Sequence, residues 1–493
     1  MQLKDILNDV PHKAISGEEQ REIGKIVFDS RQVKTDDVFV AVKGTQVDGH
    51  QFIDVAIANG ATVIVCENLP TQVPSSVTLI EVKDSHHSLG LLLANYYGRP
   101  AEQLIMVGVT GTNGKTTSST MLYELFTALG YRCGLISTIR YLIAGREKYS
   151  SHTTPDPIQI QSLLAEMVEE GCTHCFMEVS SHALVQQRTA GISFRVAMFT
   201  HITHDHLDYH GTFANYIKAK KLLFDQLSAA SVAIINADDK NGKVMVQNTK
   251  ANVKWFSMRS LADYQVRIIE NTLEGLHLQI NDQDAWFALR GSFNAYNLLM
   301  VYAAGVELGL EPDEVIEALS AVAPVEGRFE VIPHPRGINT GIVDYAHTPD
   351  ALENVLSTVA DINQGQSRII TVVGCGGNRD KAKRPKMAAI AVKLSDQVIL
   401  TSDNPRNEDP EAILAEMFGG VAIEERRKVL RITDRREAIR VAVQLAHPGD
   451  ILLVAGKGHE TYQEIHGERF PFDDREELKR AFLENESSGN PNG

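Results

Sequence analysis

The chain has 493 residues, 43% of them apolar and 23% charged, which is enough for about three domains that each bury their own core. A net charge of −15 argues against a nucleic-acid partner, because phosphate backbones demand basic surface, and five cysteines make no disulfide framework. The opening MQLKDILNDV has no basic stretch followed by an apolar core, and no apolar run nears the roughly 18 residues of a membrane span, so a cytoplasmic protein with no membrane span is expected.

Strand-like and helical runs alternate along the chain. DDVFVAV, ATVIVCE and VTLIEV carry the β-branched bias of strands, with DVAIANG and SLGLLLANYYG as helical pieces between or after them. GRPAEQ marks a boundary, so residues 1–98 are expected to form a first α/β domain. From LIMVGV onward, THCFMEV, FRVAMFT and SVAIINA are each preceded or followed by a helical run, the order of a P-loop domain with a parallel sheet over 99–327. Beyond VEGRFEVIP, the runs RIITVVG, QVILTS and DILLVAG alternate with RPKMAAIAVKL, AILAEMF and RREAIRVAVQLA, which predicts a doubly wound, Rossmann-like sheet over 328–493. The closing ENESSGNPNG reads as a disordered tail. No short internal repeat interrupts this order.

MVGVTGTNGKTT, Met106 to Thr117, joins one of these strands to a helix that closes at Gly130. Backbone N–H groups of such a loop can turn toward an anion, the helix N-terminus adds partial positive charge, Lys115 adds a full one, and Thr116 offers a hydroxyl to magnesium. The spacing is unusual: the glycine six positions before the lysine is replaced by Val109. Two other clusters invite metal chemistry. Cys172 and Cys175 form one CxxC with no second pair, inside what reads as a buried strand. HITHDHLDYHG places His204, His206 and Asp208 in most of an HxHxDH hydrolase pattern, but Tyr209 stands where the final histidine belongs and His210 comes one residue late. Magnesium held beside the phosphates is the better expectation there than a hydrolytic dimetal centre.

GVTGTNGKTT, EVSSHALVQQR, DHLDYHGTFANYIKAK, GSFNAYN, DYAHTPD, GCGGNRDKAKRP, DNPRNEDP and AGKGHETYQ resemble, in order, the motifs of the Mur ligases, and among these the MurE type that adds the third amino acid to the peptidoglycan stem peptide. DSRQVKTDDVFVAVKGTQVDGHQFI resembles that type's uridine-nucleotide domain, so nearly the whole chain is covered. One departure is His201, where the resemblance leads one to expect Asn.

The resemblance implies an ATP-dependent ligase that activates the D-Glu carboxylate of UDP-MurNAc-L-Ala-D-Glu as an acyl phosphate and lets an amine displace the phosphate. A carboxylate is a poor electrophile, since its leaving group would be oxide, and both reactants of the first step are anions, so cations must bring them together. Motif by motif, it assigns ATP to Gly111, Thr112, Asn113, Gly114, Lys115, Thr116, Thr117, Asn294, Arg328 and Asp344. Magnesium falls to Thr116, Glu178, His206 and Lys220, the last as a carbamate made with carbon dioxide, beside an unmodified Lys221. Ser30, Thr153, Thr154, Ser180, Gln186 and Arg188 would hold the UDP-sugar dipeptide, although each alone could be an ordinary turn or capping residue. For Asn294 a helix cap, and for Arg328 and Asp344 a surface ion pair, are the plainer readings.

Arg379, Asp403, Asn404, Pro405, Arg406, Gly456 and Glu460 would form the pocket for the incoming amino acid, and their three strings each follow a predicted strand. Arg406 in DNPR favours meso-diaminopimelate over L-lysine, because a guanidinium grips a distal carboxylate with paired charge-assisted bonds and repels a distal ammonium. Arg379 and Arg406 could instead belong to a solvated basic face with KAKRPK. A monomer acting on small molecules is expected. The lysine-adding ligase, a folylpolyglutamate or cyanophycin type ligase, and a nucleotide-binding switch or scaffold remain the alternatives.

Overall fold

A computed structural model describes residues 1–488 apart from 45–46, 151 and 338. Among the described residues three large sheets organise it, beside a two-stranded hairpin of Tyr462–Ile465 and Glu468–Pro471. The first has five strands; Val38–Val40, Val63–Cys66 and Thr78–Glu81 run parallel, as the β-branched runs predict, and Ala14–Ser16 and Ile26–Val27 extend its edges. The last has six strands, with Thr340–Asp344, Ile451–Ala455, Ile369–Cys375, Gln397–Ser402 and Val429–Arg431 parallel and Glu330–Pro333 antiparallel at one edge. This is the doubly wound sheet expected of the C-terminal part.

The central sheet differs from expectation in extent and in kind. It has eleven strands, and only its middle, built around Ile105–Thr110, His174–Glu178, Val196–Phe199 and Val232–Asn236, is parallel. Antiparallel strands Arg140–Ile143 and Arg146–Tyr149 extend one edge, and Leu276–Ile280 and Gln283–Phe287 the other. These edges escape a search for apolar runs for a physical reason. Middle strands are covered on both faces and read as continuous hydrophobic segments, whereas Arg146–Tyr149 is exposed at every residue.

Alternation along the middle strands splits the core into two layers. Val107, Val109, Phe176 and Met198 pack against helices Lys115–Ala128 and Ser292–Glu307. Met106, Cys175, Met177 and Phe199 pack on the opposite face against helices Pro157–Glu169 and Phe213–Asp225. Each such side chain, fully buried, stabilises the fold by about 1.5–3 kcal/mol. Cys172 and Cys175 belong to the second layer, and burial raises both thiols above their ordinary range, which fits neither redox chemistry nor zinc. The expected disordered tail begins too early: helix Asp474–Ser488 runs through ENESS, and residues 489–493 lie outside the described residues. Among the described residues no helix is long and apolar enough to cross a membrane.

Candidate functional site

Strand Ile105–Thr110 ends in a loop that must pass close beneath its neighbour. A Cβ on Gly111, whose φ is +147°, would lie 1.8 Å from the Thr200 hydroxyl, so no larger residue fits. Thr200 Oγ1 donates to the Asn113 carbonyl at 2.6 Å and Thr112 N donates to the His201 carbonyl at 2.8 Å, which fastens the loop to the segment after Val196–Phe199. Helix Lys115–Ala128 starts directly after Gly114, leaving its first N–H groups for an anion. Lys115 Nζ donates to the carbonyls of Gly111 and Thr112 at 2.9 and 2.8 Å. Burial lowers the pKa of Lys115, while Glu178 and Asp205 pull it back up.

Lys220 converges on the same loop from helix Phe213–Asp225. Its side chain is 1% exposed, Nζ donates to the Gly111 carbonyl at 2.6 Å, and the ammonium stands 4.8 Å from the centre of the Tyr216 ring. Burial, and after it the charge of Lys115, push its pKa well below the ordinary lysine value. Lys221 turns away and pairs with Asp225. Glu178, the last residue of its strand and fully buried, accepts from Thr138 N at 2.7 Å and Thr138 Oγ1 at 3.1 Å. His206 sits at φ +52° with Nε2 3.3 Å from Asp205 Oδ2; burial, aided by the charges of His182, Lys115 and Lys220, lowers its pKa, so the ring is neutral.

Of the remaining histidines of HITHDHLDYHG, His210 shares the His182 and Tyr216 rings with His206, while His204 lies elsewhere. His204 faces Asp380 at 3.9 Å, and His210 Nε2 lies 2.9 Å from Ser181 Oγ. Among the described residues no three His, Cys, Asp or Glu side chains assemble as a metal group. An oxygen-rich magnesium site remains compatible with the donors present: the Glu178 carboxylate, the Thr116 hydroxyl and the neutral His206 ring.

Five of the six dipeptide candidates gather around Glu178. Thr154 Oγ1 donates to the Glu178 carbonyl at 2.7 Å and accepts from Ser180 N at 3.0 Å; Arg188 Nη1 donates to the Thr154 carbonyl at 2.6 Å, and its Nε and Nη2 to Gln186 Oε1. Thr153 Oγ1 lies within hydrogen-bond distance of Thr138 Oγ1, at 3.0 Å. Ser180 also caps helix Ser181–Val185, so the plain capping reading holds for it as well. Ser30 lies apart, in the N-terminal sheet domain, where its carbonyl accepts from Asn59.

A cavity of about 460 Å³ opens between the central and C-terminal sheets. Asn113, Gly114, Thr117, Arg328 and Asp344 line it. Arg328 reaches across to Thr116, and Asp344, at the end of its strand, accepts from Phe329 N at 2.7 Å while burial raises its carboxyl to about 6. Neither is a surface ion pair. Asn294 is not on the wall, nor is it the N-cap, which is Gly291: it is the third residue of helix Ser292–Glu307 and accepts from Asn297 Nδ2, a residue that does line the cavity. Sequence reasoning missed Tyr296, Tyr345 and Asp350 on this wall. Asp350 joins the domains, accepting from Asn113 Nδ2 at 2.8 Å with His201 Nε2 at 3.5 Å. The DYAHTPD string contains it, but nothing local announces its partner.

The amine candidates cluster beyond the carboxyl ends of the C-terminal strands, where open α/β sheets place ligands. Asp403 follows Gln397–Ser402 and Gly456 follows Ile451–Ala455; a Cβ on Gly456, φ +122°, would lie 2.6 Å from Asp403 Oδ2. Asn404 Nδ2 donates to Glu460 Oε2 at 2.8 Å, and the peptide after Pro405 brings Arg406 to φ +51°, with Nη1 donating to the Gly377 carbonyl at 2.9 Å. Arg379 is exposed at the rim, which suits the solvated reading as well as a contact to ligand. The KAKRPK run is not all solvated, for Arg384 is fully buried between Glu408 and Glu416.

A glycine loop opening a helix, with two lysines on one of its carbonyls and an interdomain cavity beside it, defines a P-loop nucleotide-binding α/β protein. Its sequence matches the Mur ligase family, catalytic domain over residues 22–97, the Mur ligase middle domain over 109–305 and the Mur ligase, glutamate ligase domain over 327–458. The UDP-N-acetylmuramoyl-L-alanyl-D-glutamate–2,6-diaminopimelate ligase of Cytophaga hutchinsonii is 55% identical over 96% of this chain and 98% of its own. The ligase of the same name from Parabacteroides distasonis is 52% identical over 99% and 100%. A solved structure of a ligase of that name superposes with a TM-score of 0.69 at 33% identity, covering 99% of both chains. The chain belongs to the Mur ligase family.

Proposed function

We propose that this ligase uses ATP to join meso-diaminopimelate to the D-Glu carboxylate of UDP-MurNAc-L-Ala-D-Glu, releasing ADP and phosphate in peptidoglycan precursor synthesis. One observation carries the mechanism: Lys115 and Lys220, from different helices, meet on the Gly111 carbonyl beside Glu178. A carboxylate oxygen attacks the γ-phosphorus, the bond to ADP breaks, and an acyl phosphate results; the amine then adds to the acyl carbon, and the tetrahedral adduct expels phosphate and loses a proton. Lys115 and the helix N-terminus neutralise the charge that gathers between two anions. Magnesium, held by Thr116, Glu178, His206 and a carbamylated Lys220, would add further charge stabilisation there.

The Lys220 environment supports that modification. A buried amine with a depressed pKa is neutral enough to attack carbon dioxide, and the resulting N–C bond with loss of one proton turns that neutral amine into an anion attracted to Lys115. Arg328, Asp344 and the cavity wall would take the nucleotide; Thr153, Thr154, Ser180, Gln186, Arg188 and, from the N-terminal domain, Ser30 would take the UDP-linked dipeptide. Arg406 and Glu460 would read the far end of diaminopimelate. All three sites lie on one chain, so a monomer suffices, and the supply of ATP places the reaction in the cytoplasm. ADP release measured with UDP-MurNAc-L-Ala-D-Glu and a panel of amino acids tests the reading. Turnover with meso-diaminopimelate is expected; turnover with L-lysine instead, or with no amine, would overturn it.

A further inference from the structure

The amine pocket contains a lysine that the mechanism above does not use. Lys457, in the turn after Ile451–Ala455, is 0% exposed, and its Nζ donates to Glu460 Oε2 at 2.9 Å and to Asn404 Oδ1 at 3.1 Å. The Asn404 side-chain carbonyl also accepts from Glu464 N at 2.9 Å, and its Nδ2 donates to Glu460 Oε2. Burial raises the Asp403 carboxyl, but the charges of Lys457 and Arg435 outweigh it and hold the group ionised. On the other wall, Arg406 Nε stands 3.4 Å from Glu464 Oε2, and Arg435 forms a fully buried pair with Asp474. Glu460, Arg406 and Arg435 thus each have an internal counter-ion before substrate arrives.

We propose that Lys457 is a specificity-determining residue of the amine pocket: as the counter-ion of Glu460 it leaves a substrate whose far end is only an ammonium with no uncompensated anion to meet. The inference rests on the diaminopimelate reading. A far end that carries both carboxylate and ammonium is neutral as a whole, so it can exchange partners with the Arg406–Glu464 and Lys457–Glu460 pairs without leaving a surplus charge. L-lysine brings a net positive charge into a site where the cations Arg406 and Lys457 already flank it. Discrimination by an unfavourable charge in the wrong complex is as effective as a new contact in the right one.

Steady-state ADP release with meso-diaminopimelate and with L-lysine tests this on three variants. Lys457→Met and Lys457→Gln remove the charge, the second keeping a donor for Glu460 in case the first fails to fold; Lys457→Arg restores the charge. Both neutral variants are expected to raise kcat/KM for L-lysine and to lower the diaminopimelate-to-lysine preference at least tenfold, with Lys457→Arg close to the parent. Equal losses for both amines in the neutral variants would reduce Lys457 to a structural role and overturn the proposal. A parent enzyme without preference for diaminopimelate would overturn both this proposal and the substrate reading beneath it, whereas an intact parent preference unchanged in the neutral variants would overturn this one alone.

Discussion

Arg328 Nη2 donates to Thr116 Oγ1 at 3.2 Å, tying the start of the C-terminal sheet domain to the first turn of the nucleotide helix. The guanidinium also stacks 4.5 Å from the centre of the Tyr345 ring, and its Nε is buried without a hydrogen-bond acceptor. A buried donor left unmatched in the free protein is suited to a ligand oxygen. Arg328→Ala is expected to raise the KM for ATP by roughly 10-fold or more, the size of a lost charge-assisted contact. An unaltered KM for ATP would remove Arg328 from the nucleotide site.

Lys115→Ala removes the cation that sits on the nucleotide loop. Turnover is expected to fall by at least about 100-fold, as for loss of one electrostatic stabiliser, with the fold preserved because the lysine contributes only two hydrogen bonds to loop carbonyls. ADP release near the parent rate would contradict the phosphate role.

Lys220→Ala is expected to be almost inactive and to regain part of its activity with short carboxylic acids, which can supply the missing oxygens in the space left by the side chain. Incubation of the parent protein with ¹³C-labelled bicarbonate should give a carbamate carbon resonance that Lys220→Ala lacks. Absence of that resonance from an active enzyme would refute the modification.

Asp344 predicts a pH dependence of stability. Its folded pKa is raised to about 6 by burial from an ordinary 3.8, so between those values the folded state holds the proton more tightly than the unfolded chain. Its contribution is complete below about pH 4 and is lost as pH rises through 6. The two-unit shift corresponds to about 3 kcal/mol. Asp344→Asn stays neutral throughout, so the variant should gain stability relative to the parent between pH 4 and 7 in urea titrations. A constant difference across that range would show that Asp344 titrates normally.

On the proposed reading, in which the Arg406 guanidinium, held by the Gly377 carbonyl and faced by Glu464, takes the distal carboxylate and not the reacting atoms, Arg406→Ala should raise the KM for diaminopimelate more than it lowers kcat. Discrimination against L-lysine should shrink from roughly 10⁴-fold toward parity. A variant that kept its preference would move specificity elsewhere in the pocket.

Much of the architecture was legible from local pattern. The apolar runs LIMVGV, THCFMEV, FRVAMFT and DILLVAG are strands because both their faces are covered, and Gly111 and Gly114 mark a turn that only residues without a Cβ can make. That Lys115 and Thr116 open a helix directly after the glycine loop was legible too, because the motif that carries them is contiguous. Polar edge strands such as Arg146–Tyr149 were not, since one exposed strand has no periodicity that separates it from a loop.

Contacts between distant segments needed the tertiary structure. Nothing near Lys220 in sequence reveals that its amine meets the Gly111 carbonyl, or that Thr138 holds the Glu178 carboxylate, or that Lys457 neutralises Glu460. The central sheet orders its strands so that Ile105–Thr110 lies between His174–Glu178 and Val196–Phe199, and each strand delivers its following loop to the same edge. Element type follows from burial periodicity over a few residues, which the chain carries locally. The charge environment of a side chain follows from which loops that sheet order brings within a few ångströms, and that is decided only when the long-range pairing closes.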